Sequence, residues 1–325
     1  MTRLLFQFSS LLAILIISAG CSCGDDDRRA PGDAGPPMDD GAVADAGDAG
    51  VEEVPFPGPC TIEVDRDADG TADELSALEY DGEGRVVRRA DDGDGDGTPD
   101  AISTLTYDDL GNIVLIQDDQ DADGTVDMRT RSELDAMGRV TAVVVEDGAG
   151  TALSRTELTY DDMDNVVQES IDTNADGTPD RITAFVYGAD GMLEREELDA
   201  DADGTLDTLI THEYDAGMLV RTTTDDGNDG TTDFETRFMY DGNGNPVLLE
   251  RDTNGDGTID ETETRAYDDG DRVVSIDIDR DADGTADERW TFTYDERGNP
   301  LTEEVDTDAD GAPNQITTFS YECFA

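Results

Sequence analysis

The residues best equipped to do chemistry in this chain are its aspartates, which recur at fixed spacing. The pattern Asp-x-Asp-x-Asp-Gly-x-x-Asp, with small variations, opens at Asp65, Asp92, Asp119, Asp172, Asp199, Asp225, Asp252, Asp279 and Asp306. Calcium takes about six to eight hard oxygen ligands. Carboxylates at loop positions 1, 3 and 5 converge on one point when glycine at position 6 permits a sharp turn. A backbone carbonyl at position 7 and a carboxylate at position 9 add two more ligands. The expected ligands are therefore Asp65, Asp67, Asp69 and Asp73 in the first loop, and Asp92, Asp94, Asp96 and Asp100 in the second. The next loops offer Asp119, Asp121, Asp123 and Asp127, then Asp172, Asn174, Asp176 and Asp180. Asp199, Asp201, Asp203 and Asp207 follow, then Asp225, Asp229 and Asp233, a set weakened by Gly227 at position 3. The last three sets are Asp252, Asn254, Asp256 and Asp260; Asp279, Asp281, Asp283 and Asp287; and Asp306, Asp308, Asp310 and Asn314. A tenth loop, at Val145 to Leu153, has lost the pattern.

These loops depart from EF-hands. Position 12, where an EF-hand has a bidentate glutamate, holds Ser76, Ser103, Thr130, Thr183, Ile210, Trp290 or Thr317, and only the Asp252 loop offers Glu263. Pro99, Pro179 and Pro313 remove a backbone N–H at position 8. The expected sites are weak, with water completing the shell, in the range of about 10⁻⁴–10⁻³ M found in extracellular modules. Aspartate and glycine are also good turn formers. A turn needs one or two such residues, however, whereas here carboxylates alternate through the whole loop.

The formal net charge is −61, which repels nucleic acid and anionic lipid and favours cations. Loops two strands apart lie roughly 10 Å from one another, about one Debye length. Without cations they repel, so metal binding and folding should be coupled.

The elements that must hold these loops follow from a repeat of mostly 27 residues. All nine tyrosines share one position in it: Tyr80, Tyr107, Tyr160, Tyr187, Tyr214, Tyr240, Tyr267, Tyr294 and Tyr321, with Leu134 in the remaining repeat. In each unit two short runs rich in β-branched and aromatic residues flank a turn such as Asp108 to Asn112, which reads as a β-hairpin. Leu78, Leu105, Leu158, Phe185, Phe238, Phe292 and Phe319 lie two residues before the tyrosine, on its face. Val87, Val114, Val167, Val247, Val274 and Leu301 follow seven residues after it, and Thr, Arg and Glu populate the other face. The expected fold is all-β: a tandem array of about ten hairpin repeats in a curved or spiralled antiparallel sheet. The alternative is a five-bladed propeller with two repeats per blade.

The Tyr-Asp-x-x-Gly-Asn-x-Val segments at 107–114 and 240–247 resemble the YD (Rhs) repeats of bacterial surface and toxin-shell proteins. The aspartate loops resemble the calcium loops of thrombospondin type III, integrin-α and dockerin modules. Rhs repeats are shorter, so the unit here reads as one with a calcium loop inserted between hairpins.

Residues 1–20 read as an export signal, with Arg3 before an apolar run too short to span a membrane. Ser18-Ala19-Gly20-Cys21 resembles a lipobox, which implies acylation of Cys21, although Ser18 stands where that family usually has an aliphatic residue. Ser22 after the cysteine implies the outer membrane. Residues 21–58, rich in Asp, Ala, Gly and Pro, read as a self-repelling tether, and 59–325 as the repeat domain. A Cys60–Cys323 disulfide would require the first and last repeats to meet, and Cys23–Cys60 is the other pairing.

His212 and Trp290 fall on the tyrosine face and read as packing residues. No nucleophile or zinc-protease motif occurs, and no enzyme is expected. The expected role is structural or adhesive, on the cell surface, with calcium stiffening the array. The alternative is a glycan- or protein-binding module acting through the sheet face without calcium.

Overall fold

A computed structural model describes residues 58–321. The export signal, Cys21, Cys23, the tether and Cys323 lie outside the described residues. The first ten strands are β1 (Thr61–Asp65), β2 (Glu74–Tyr80), β3 (Val86–Asp92), β4 (Ala101–Tyr107), β5 (Ile113–Asp119), β6 (Met128–Leu134), β7 (Val140–Asp147), β8 (Ala152–Tyr160), β9 (Val166–Asp172) and β10 (Arg181–Tyr187). The second ten are β11 (Leu193–Asp199), β12 (Thr208–Asp215), β13 (Met218–Asp226), β14 (Phe234–Tyr240), β15 (Pro246–Asp252), β16 (Glu261–Tyr267), β17 (Val273–Asp279), β18 (Glu288–Tyr294), β19 (Pro300–Asp306) and β20 (Gln315–Ser320).

Each strand pairs antiparallel with the next, and β1 pairs with β20, for example Ile62 opposite Phe319. The sheet is therefore a closed 20-stranded barrel, which corrects the expected open or spiralled array and the propeller alternative. Closure removes both edges that an open array would expose. An even strand count lets every pair, the last included, be antiparallel. At the seam the Cys60 N–H donates to Ser320 O at 2.7 Å. Cys60 is disulfide-bonded.

The period-two faces follow the sequence. Along β4, Thr104 and Thr106 are exposed while Leu105, between them, is buried against its cross-strand partner Ile116. The wall is a single layer, and strands touch only their ring neighbours. That geometry yields no thick core: among the described residues no large side chain is completely buried, and most of the apolar column is half-buried.

The tyrosine column is fixed by hydrogen bonds. Tyr107 Oη donates to Val86 O at 2.8 Å, and seven other tyrosines reach the equivalent carbonyl of the preceding hairpin. Phenylalanine would pack there but could not make this bond, which accounts for the choice of tyrosine. Three turn arginines lie over tyrosine rings of the next hairpin, Arg85 over Tyr107, Arg139 over Tyr160 and Arg272 over Tyr294.

Trp290 stacks on Phe292, with ring centroids 6.5 Å apart. His212 is held on both ring nitrogens, by Thr222 Oγ1 at 3.2 Å and Glu196 Oε1 at 3.0 Å, and so packs within the sheet.

Candidate metal-binding loops

Because connections in a meander alternate between ends, all nine acidic loops fall on one rim of the barrel and the short hairpin turns on the other. Sequence spacing alone places the loops two strands apart. Ring closure turns that row into a crown.

Seven of the nine loops leave at a buried aspartate, position 1, which ends β1, β3 or an equivalent strand, while Asp199 and Asp225 are half-buried. In the Asp279 loop this carboxylate accepts N–H bonds from Asp283 at 3.1 Å and Gly284 at 2.7 Å. Asp281 accepts from the Asp283 N–H at 3.3 Å, and Asp283 accepts from the Thr285 N–H at 2.8 Å. Asp287 accepts from the Arg280 N–H at 2.8 Å, while its own N–H donates to Ile278 O at 2.8 Å. The same bonds recur from loop to loop, as with Gly70 N–H to Asp65 at 2.7 Å and Arg66 N–H to Asp73 at 2.8 Å. The chain turns on left-handed residues at positions 4 and 6, here Ala282 (φ 52°) and Gly284 (φ 91°). Sequence reasoning identified the glycine but missed the left-handed alanine, which is followed by three N–H groups, those of Asp283, Gly284 and Thr285, all bonded to loop carboxylates. In the Asp252 loop position 4 is Gly255, where a Cβ would stand 2.1 Å from Thr232 O of the preceding loop. Neighbouring loops therefore nest closely along the rim.

The carboxylates converge as the spacing requires. Asp65, Asp67 and Asp73 each offer an oxygen within 4.8 Å of the others, as do the corresponding triplets of the Asp119 and Asp279 loops. In the Asp92 and Asp199 loops the triplet is positions 1, 3 and 5. Two kinds of electrostatic environment coexist in one loop. Burial works to raise the Asp65 carboxyl, but N–H bonds from Gly70, Asp69 and Asp67 outweigh it and hold it below its ordinary value. Repulsion from the Asp69 carboxylate, aided by desolvation, holds Asp67 above its ordinary value. The N–H of Asp283 favours ionised Asp281, yet the charges of Asp283, Asp287 and Asp279 prevail and raise it. Position 1 is an anchor satisfied by the backbone; position 3 is a charge short of positive partners.

Position 12 is not part of the site. Cross-strand pairing puts Asp252 opposite Glu235, whereas Glu263 faces Leu249 and Ile278 on the other side of the sheet. Glu263 is held instead by Arg251 at 2.9 Å and Arg265 at 2.6 Å. The short connection between β7 and β8 carries no acidic cluster. Asp147 N–H donates to Thr151 O at 2.9 Å and Gly150 N–H to Asp147 O at 2.9 Å.

Residues 267–313 match the family model described as RHS Repeat. That segment spans the Asp279 loop and most of the Asp306 loop, so the match includes acidic loops as well as hairpin strands. No curated protein matches the chain. Among solved structures, a TcdB2–TccC3–Cdc42 complex is 16% identical over 75% of this chain and 15% of that one, with a TM-score of 0.39. The Photorhabdus luminescens Tc holotoxin pore is 16% identical over 77% of this chain and 14% of that one, at a TM-score of 0.37. A porin-like protein from Bacteroides uniformis is 15% identical over 82% of this chain and 96% of that one, at a TM-score of 0.36. The chain thus spans about 15% of the length of the Tc toxin chain it matches.

Proposed function

We propose that this chain is a lipid-anchored envelope protein whose barrel serves a structural or adhesive, surface-display role, and whose acidic loops bind calcium. The observation that carries the calcium reading is the convergence of three carboxylates in loop after loop along one rim. The donors are all hard oxygens, as calcium prefers and softer metals do not. Positions 1, 3, 5 and 9 would hold the ion. When bound, it would neutralise the charge that raises Asp67 and Asp281. The anchoring reading rests on the resemblance of Ser18-Ala19-Gly20-Cys21 to a lipobox and on the export signal before it. With its Rhs-type hairpins, the chain is read as a scaffold to which no catalytic chemistry is assigned.

Isothermal titration of the full chain with calcium and magnesium tests the first part. Eight loops keep a carboxylate or amide at all four positions, so several ions should bind at about 10⁻⁴–10⁻³ M. Heats absent for calcium, or identical for magnesium, would end the calcium reading. Fatty-acid labelling of the wild-type chain against Cys21→Ser tests the second part: label should follow the cysteine.

A further inference from the structure

The two rims differ in apolar exposure as well as in charge. Among the described residues eight large apolar or aromatic side chains are exposed, and seven of them stand at the turn end of the barrel. Leu153 alone is at the loop end. Leu110, Met137 and Met163 are 77%, 68% and 67% exposed and occupy the tips of three consecutive turns, β4–β5, β6–β7 and β8–β9. Leu110 leans onto the next turn, its Cδ1 lying 3.5 Å from where a Cβ on Gly138 would be. Arg139 of the second turn pairs with Asp164 of the third at 2.6 Å, so the three turns stand side by side. Met239, one residue before the end of β14, and Leu301, one residue after the start of β19, lie at the same rim.

The described chain begins and ends at that rim too. β1 starts there and runs toward the first acidic loop, and β20 returns there. Cys21 precedes Gly58 by 37 residues, so on the anchoring reading the linkage to lipid enters the barrel at its turn rim, and that rim would be the one at high effective concentration near the lipid.

We infer that the turn rim rests on a lipid surface without net charge, with Leu110, Met137 and Met163 immersed in it and the acidic crown facing away. This rests on the anchoring reading and adds an orientation to it. Turn carboxylates such as Asp109 and Asp162 border the tips, so anionic lipid would oppose the contact. The apolar tips are isolated from the crown by the length of the strands, which lets one molecule present lipid contacts at one end and calcium loops at the other.

The test uses the full chain, purified with its acyl group and reconstituted into phosphatidylcholine vesicles containing brominated acyl chains. Met137→Trp and Leu153→Trp report on the two rims, with the signal of Trp290 in the parent subtracted. Both replaced side chains are exposed, so folding is expected to be unaffected and is checked by circular dichroism. The expected result is bromine quenching and a blue shift for Met137→Trp and neither for Leu153→Trp, with the quenching reduced when anionic lipid is mixed in. Acylated protein in which neither variant is quenched, or both equally, would overturn the orientation while leaving the anchor intact. A dimer by sedimentation with Met137→Trp shielded from brominated lipid would assign the tips to a second copy instead. Mass spectrometry showing unmodified Cys21 would remove the anchoring reading, and this inference with it.

Discussion

The Asp279 loop and the connection between β7 and β8 do the same topological job on the same rim, and they do it differently. Both join antiparallel neighbours in the ring. The first makes an excursion through alternating carboxylates. The second closes with Asp147 accepting N–H bonds from Ala149 at 2.9 Å and Thr151 at 2.8 Å, and Gly150 at positive φ. That is the arrangement of the opposite rim, where Asp108 accepts from Leu110 at 2.9 Å and Asn112 at 2.8 Å. A turn of the other rim's type has replaced an acidic loop, and β7 and β8 still pair along their length. The ring therefore closes with one of its acidic loops replaced. Lengthening a loop costs little, about 0.6 kcal/mol per doubling. Gathering several carboxylates within one loop costs electrostatic energy, visible in the raised Asp67 and Asp281. Turn chemistry alone supplies no return for that cost, whereas a bound cation does.

The comparison can be broken first at position 1. Asp279→Ala removes an acceptor of two N–H bonds, each worth roughly 1.5–3 kcal/mol when the acceptor is charged, so a loss of about 3 kcal/mol is expected without calcium and a larger one with it, because the ion loses a ligand too. Denaturant midpoints in EDTA and in calcium check it; a loss seen only with calcium would mean that position 1 is a ligand alone and no anchor. Asp281→Ala should behave differently. It should destabilise the protein when calcium is ten times its dissociation constant, by removing that loop's binding energy, and stabilise it slightly in EDTA by relieving repulsion. Equal effects in the two buffers would contradict the assignment of position 3.

A graft sharpens the same contrast. Replacing residues 280–286 with the Gly-Ala-Gly of 148–150 should leave the β-sheet circular dichroism unchanged and reduce the bound calcium by one ion. A collapse of the β signal would show that the acidic loop is required for folding even without metal. Smaller effects belong to the tyrosine column. Tyr107→Phe should cost, and Leu134→Tyr should gain, about 1 kcal/mol from one neutral hydrogen bond to backbone, read from thermal melts. The smallest change comes from solvent-exposed pairs. Hydrogen bonds from Arg155 and Arg131 hold Glu133 at about 2, and those from Arg272 hold Asp268 at about 2. Both pKa values are depressed in the folded state, so their contribution is present above pH 4.5 and is lost as the pH falls toward 2. A metal-free melting temperature that rises over that window would contradict the pairing.

Much of this was legible in the residues. The 27-residue period, the hairpins and the tyrosine face are local, set by turn chemistry and alternation, and residues such as Leu105 and Thr104 fall on the faces that alternation assigns. Convergence of Asp65, Asp67 and Asp73 was likewise written in their spacing. Closure was not, because it depends on the accumulated curvature of twenty strands and on one pairing between Thr61–Asp65 and Gln315–Ser320, the most distant segments of the described chain. The tyrosine hydroxyls were missed because their acceptors are carbonyls of the neighbouring hairpin, about 21 residues back, invisible until hairpins are laid side by side. Glu263, the one glutamate offered at position 12, stays outside the site because loop numbering ignores strand faces: position 12 falls on the side of the sheet opposite position 1.

Thermal melting of the full chain followed by circular dichroism decides whether the carboxylates crowded on one rim are stabilised by calcium. The melt is recorded in EDTA, in millimolar magnesium and in millimolar calcium at constant ionic strength. The account predicts a melting temperature that rises steeply with calcium and little with magnesium, since several loops each add binding energy to the folded state alone. Curves that coincide in all three buffers would mean that the aspartates serve only to turn the chain.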